Sequence, residues 1–151
     1  MGDGVLDAFN VLGFDDVALP AIFAHEFGHH IQYERGYFAE LPPGSNPATV
    51  HQAELTRYTE LMADAFAGYY LTHKRGATMN RKRVEQFLEV FFQLGDCAFT
   101  SGGHHGTPIQ RMRAARFGFD VADQAQKQGH ILTASQFHAL FTARYTTFVA
   151  P

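Results

Sequence analysis

"AIFAHEFGHH", residues 21–30, sets His25, Glu26 and His29 in an H-E-x-x-H pattern inside a run otherwise apolar enough for a protein core. On a helix, residues four apart share a face, so His25 and His29 can both point at one ion while Glu26 sits one step around. Two neutral imidazoles suit zinc, and a carboxylate too far round to ligate can take a proton from a metal-bound water. The competing reading is a polar helix face that matches by chance, since short motifs recur. Gly28 weighs against chance: in mid-helix it costs roughly 1 kcal/mol relative to Ala, a loss that makes sense where another backbone passes close by.

The candidate for that neighbour is "ELMADAFAGYYL", residues 60–71. Glu60, Ala63, Asp64, Ala67, Gly68 and Leu71 share one helix face, and its residues are mostly small, as a close helix crossing requires. A catalytic zinc takes three protein ligands and leaves one position open, so Glu60 would complete a set of two His and one Glu. Asp64, one turn on, is placed to accept the second ring N–H of a ligating histidine, His25 in the first instance, and so to fix its tautomer. The alternative is a solvated acidic edge, but on a small-residue face it would bury unpaired carboxylates at a cost. Glu54 is a rival ligand; six residues before Glu60, it falls on a different face.

The third element is "GGHHGTPIQR", residues 102–111. A histidine in a link just before a capped helix could donate to a developing oxyanion. From the residues alone His104 and His105 are equal candidates, and both read equally well as polar loop residues. His30, His51, His73, His104, His130 and His138 read as surface, capping or partly buried residues rather than ligands. Tyr33, Tyr58, Tyr69 and Tyr70 read as packing.

Around these motifs the chain shows five helical segments and little strand, so the fold class is mainly α. The first segment runs from about Asp16 to Arg35, with Asp15 or Asp16 as cap, Pro20 tolerable only near the first turn, and Gly36 as the stop. The second starts with Asn46 as cap and Pro47 at the first helical position, and continues to about His73. The third, Arg81 to Leu94, is capped by Asn80 and turns Val84, Phe87, Leu88 and Phe91 inward. Thr107, Pro108 and Gln110 form a capping box for the fourth. The last opens at Thr133 with Gln136 three residues on, and buries Phe137, Leu140 and Phe141.

The 151 residues, nearly half of them hydrophobic, are enough to bury a core and read as one domain, 1–151. Net charge is −3 with no basic block, which argues against nucleic acid as a partner. No apolar run approaches the roughly 20 residues of a membrane span, and residues 1–9 lack the basic start and apolar middle of a signal peptide. The single cysteine, Cys97, excludes an intrachain disulfide and a cysteine-based zinc site. It reads as a small buried residue.

"AHEFGHHIQ", "ELMADAFAG", "LGDC" and "HGTPIQR" together resemble, in order and rough spacing, the bacterial family of "putative neutral zinc metallopeptidases", whose pattern runs HExGHHxQ, ELQADCFAG, a GDD-like step and HGxxxQR. The similarity spans about residues 16–119. It implies a gluzincin-type, zincin-like helical domain in which the HExxH helix packs on the helix carrying the glutamate ligand. By resemblance His25, His29 and Glu60 hold Zn2+, Glu26 is the catalytic base, Asp64 stands behind the ligands, and His105, being in the HGxxxQR position, is preferred to His104 as a catalytic residue. The substrate would be a peptide or protein.

Ala65 and Cys97 depart from the pattern, which usually has Cys and Asp there, so a disulfide or a polar contact is missing. Family members usually carry a membrane anchor or leader, which implies a membrane-associated or extracytoplasmic place in bacteria. They also carry strands upstream of the HExxH helix. Only about twenty residues precede the motif here, so the chain is expected to be truncated at its N-terminus or a minimal form, with the substrate-binding edge short or missing. Regulatory metallopeptidases related to phage-repressor inactivators resemble the first two motifs but are not expected to share the HGxxxQR ending.

Three functions are therefore in competition. The first is a zinc metallopeptidase; the second is a zinc-stabilised helical domain that binds a partner without cutting it; the third is a loose transition-metal buffer.

Overall fold

The burial pattern of one helix organises the rest. From Leu61 to Gly68 every residue is buried, and a helical stretch with no solvent face must lie in the middle of its neighbours. The computed structural model describes residues 15–97, 101–127 and 129–151. Its helices are α1 (Asp15–Arg35), α2 (Gln52–Thr72), α3 (Arg81–Gln93), α4 (Pro108–Lys127) and α5 (Ala134–Val149), with a 3-10 turn at Tyr37–Ala39. No strand occurs among the described residues, so the fold is mainly α. No helix among them is long and apolar enough to cross a membrane.

The central helix, α2, divides the apolar interior in two. On one side Ala67 and Leu71 meet Val17, Ala21 and Ile22 of α1 and the Val84, Phe87, Leu88 and Phe91 face of α3. On the other side Tyr58, Leu61, Met62 and Phe66 meet Phe137, Phe141, Tyr145 and Phe148 of α5. The fourth helix contributes Ala115 to the first cluster and Ala114 to the second.

Small residues set the crossings. A Cβ on Gly28 would lie 2.9 Å from both the Cα and the carbonyl oxygen of Ala63, so α1 and α2 touch backbone to backbone there. The α2–α4 crossing is tighter still: a Cβ on Gly68 would collide with the Ala115 carbonyl, and one on Gly118 with the Ala65 carbonyl. The small face of α2 thus serves two neighbours, where the sequence pointed to one.

Several helix ends match their expected signals. Gly36, at φ 73°, stops α1, and the Asn80 side chain accepts from the Arg83 amide at the start of α3. Thr107 and Gln110 exchange bonds at α4, and Thr133 and Gln136 form a capping box at α5.

Other ends differ. The first helix is already formed at Asp15, so its cap falls outside the described residues, as does the Asp15 side chain; Asp16 pairs with Arg83 instead. Pro20 sits in the second turn. Asn46 caps only a local turn, its Oδ1 accepting from the Ala48 amide and its carbonyl from Thr49 and Val50. Extended backbone at His51, ψ 148°, then separates that turn from α2. Leu140 is 44 % exposed, because α5 turns only Phe137, Phe141, Tyr145 and Phe148 inward. Cys97, expected to be buried, is exposed in the segment that follows α3.

Candidate metal centre

The crossing at Gly28 and Ala63 brings two pairs of polar residues together, His25 and His29 on α1 and Glu60 and Asp64 on α2, each pair one turn apart. His25 Nε2 lies 3.1 Å from His29 Nε2 and 3.3 Å from Glu60 Oε2, and His29 Nε2 lies 3.3 Å from Glu60 Oε1. Ligand atoms about 2.05 Å from a tetrahedral zinc would be about 3.3 Å apart; the two imidazole nitrogens lie near that spacing, and each faces a different oxygen of Glu60. The three residues form a group able to hold a metal ion.

The ring tautomers agree with that geometry. The Nδ1–H of His25 donates to Asp64 Oδ1 at 2.8 Å, which leaves Nε2 to face the group. The Nδ1 of His29 lies 2.8 Å from Gln32 Oε1, while the Gln32 amide nitrogen donates to the Thr59 carbonyl at 2.7 Å. Because that second bond fixes which end of the amide is oxygen, His29 also donates through Nδ1 and presents Nε2. Gln32 is fully buried, and its place in "HHIQ" was the signal for a role that spacing of ligands alone did not reveal.

Without metal, charge fills the same space with a proton. Burial alone would push His25 down, but the carboxylates of Asp64 and Glu60 raise it to about 9. Burial would push Glu60 up, but hydrogen bonds from His25 and His29 hold it well below the ordinary carboxylate range.

A raised histidine stabilises the fold fully below its ordinary 6.5 and loses that contribution as pH rises through about 9. A depressed glutamate contributes above its ordinary 4.5 and loses that as pH falls. The chelated protein is therefore expected to be most stable between those two ordinary values and to melt progressively lower toward pH 9. Zinc loading, which must displace the His25 proton, should strengthen with pH over the same range. Thermal melts from about pH 5.5 to about pH 9, with chelator and with zinc, check both slopes; parallel slopes would refute the link.

Behind this group, Arg111 grips the fully buried Asp64 through Nε and Nη2, and its Nη1 donates to the Leu94 carbonyl. Arg111 belongs to "HGTPIQR", a motif read for its histidines, so its part went unassigned. Asp96 was missed as well. Its Oδ1 lies 2.6 Å from Nδ1 of the buried His104, its Oδ2 accepts from the His105 amide, and its own amide donates to the Gly106 carbonyl. It stitches the end of α3 to the histidine link.

The same group opens onto a cleft of ≈ 400 Å³. His25, His29, Glu60 and Arg111 line it, Ile22 and Leu94 are apolar parts of its lining, and Glu26 and His105 also face it. Glu26 is exposed and His105 half-exposed, so both are accessible to a molecule entering the cleft. Phe38 stacks on the His29 ring, centroids 6.1 Å apart.

Glu54 is held by the Ser45 hydroxyl and stands outside the group. The other described histidines are outside it too. His73 bonds the His130 carbonyl, and His138 pairs with Glu40 while stacking on Tyr37.

A family model described as "Putative neutral zinc metallopeptidase" matches residues 9–130. Two curated proteins, each called "Uncharacterized protein YpfJ", from Escherichia coli K12 and from Escherichia coli O6:H1 strain CFT073, are 31% identical to the chain over 134 residues. The similarity covers 80% of this chain and 46% of either relative, so the chain spans about half the length of the curated relatives it matches. No solved structure matches it.

Proposed function

The chain belongs to the putative neutral zinc metallopeptidase family, and from that premise we propose that it hydrolyses peptide bonds with a zinc-activated water. The observation that carries the reading is the convergence of His25 Nε2, His29 Nε2 and Glu60 at 3.1 to 3.3 Å, with both ring N–H groups turned away. This donor set of two imidazoles and a carboxylate suits zinc and leaves a fourth position facing the cleft. Zinc held there would polarise the substrate carbonyl and acidify a water.

The chain's own residues then divide the work. Glu26, beside the ligands on α1 and facing the cleft, accepts the proton of the attacking water and returns it to the leaving amine. His105, facing the same cleft from the α4 side, donates to the carbonyl oxygen as negative charge builds on it. Asp64 and Gln32 keep the His25 and His29 rings in the tautomers that present Nε2.

The substrate in this reading is a peptide or protein. Cleavage of a fluorogenic peptide library is expected to stop on chelation and to return with one equivalent of zinc per chain. Cleavage that survives full removal of metal would end the proposal.

One observation favours a second reading. Among the described residues no strand borders the cleft, so none of them offers an extended substrate a sheet edge to pair with. A zinc-dependent binding domain would show the same metal stoichiometry and no turnover in that assay.

A further inference from the structure

Arg111 stands outside the ligand set yet grips what orients it, and its Nη2 also lies 3.4 Å from His25 Nδ1, beyond its shorter bonds to Asp64. Its Nε donates to Asp64 Oδ2 at 2.8 Å and its Nη2 to Asp64 Oδ1 at 2.6 Å. Its Nη1 donates to the Leu94 carbonyl at 3.1 Å, and the guanidinium lies over the Phe91 ring at 6.0 Å. A planar group held at three points fixes the plane of the carboxylate it grips as well as its position.

That plane matters because Asp64 Oδ1 is the atom that receives the His25 ring N–H. Held by His25 alone, the carboxylate could turn about its last torsion, which is a broad well. The His25 ring would lose its fixed partner. Nη2 also lies 3.8 Å from Glu60 Oε2, so the same cation offsets the repulsion between two carboxylates on successive turns of α2.

We infer that Arg111 is the positioning residue of the metal centre: through Asp64 it holds His25 in the orientation that zinc requires. It also ties that ligand to α4, the helix that follows the His105 link. The inference rests on the zinc-centre part of the proposed function and is independent of peptide cleavage. A purely structural Arg111 would only neutralise the buried Asp64.

The two roles part in a double-mutant cycle on zinc affinity. The full chain is first assayed for one zinc ion per molecule, then R111K, D64N and R111K/D64N are compared by competition with a chromophoric chelator. R111K keeps the charge and loses the fork, so it should weaken zinc about 10-fold and alter the visible absorption of the Co(II)-substituted protein. In the D64N background the same change should weaken zinc by less than about twofold.

Wild-type zinc affinity and an unchanged Co(II) spectrum in R111K would overturn the inference, as would an equal loss in both backgrounds. R111Q, which retains a single donor group, serves as a second variant. Failure of R111K and R111Q alike to fold, with or without zinc, would overturn it in favour of a structural clamp. A wild-type chain that binds no zinc refutes the centre itself and is detected before any variant is compared.

Discussion

Glu26→Gln is expected to keep one zinc per chain and to lower peptide turnover by roughly 10²- to 10⁴-fold, the contribution usual for a general acid–base group. The side chain faces the cleft from α1 but is not one of the three converging donors, so an amide of the same shape leaves the metal's neighbours in place. What the amide cannot do is accept a proton from water and hand it on. Elemental analysis and turnover of one peptide substrate, measured on the same preparation, separate the two properties. Equal turnover in both proteins would remove Glu26 from the chemistry, and loss of zinc in the variant would mean that it supports the metal.

Spacing made parts of this centre legible and hid others. Residues four apart on a helix share a face whatever the helix packs against, so His25 with His29, and Glu60 with Asp64, could be paired from their positions alone. Gly28 announced a close approach because only a neighbour's backbone explains a glycine in mid-helix, and Ala63 is that neighbour.

Arg111 and Asp96 could not be found this way. Arg111 reaches across the fold, 47 residues back to Asp64, and Asp96 spans the 8 residues of the link to His104; no helical period records either pairing. The misread ends have similar causes. Asn46 carries a genuine capping signal, but Asx chemistry serves a single turn as readily as a long helix, and only the extended His51 decides between them. Leu140 fits the helical stripe of α5, yet its neighbours on that helix already fill the one side that α2 and α4 cover.

Gly118→Val is expected to be the most damaging single change away from the ligands. A Cβ at 118 would meet the Ala65 carbonyl, and one at 68 the Ala115 carbonyl, so α2 and α4 cross with no room for a methyl group on either side. The obstacle in both cases is helix backbone, which cannot swing aside as the end of a long side chain can. Overpacking of this kind costs about 1–3 kcal/mol and sometimes more, a large share of the roughly 5–15 kcal/mol that holds a domain of this size together. Even alanine, which elsewhere gains about 1 kcal/mol over glycine inside a helix, should lose stability at 118.

The damage should not stop at stability. Arg111 rides on α4 and Asp64 on α2, so wedging the helices apart pulls on the grip that orients His25. Zinc affinity is therefore expected to fall together with melting temperature in Gly118→Val. Gly103→Ala is the control: its new methyl would find only the Ser101 hydroxyl, at 3.8 Å, and both quantities should stay near wild type. If Gly118→Val melts and binds zinc like the parent, the helices are not locked at this crossing, and the metal centre does not depend on it.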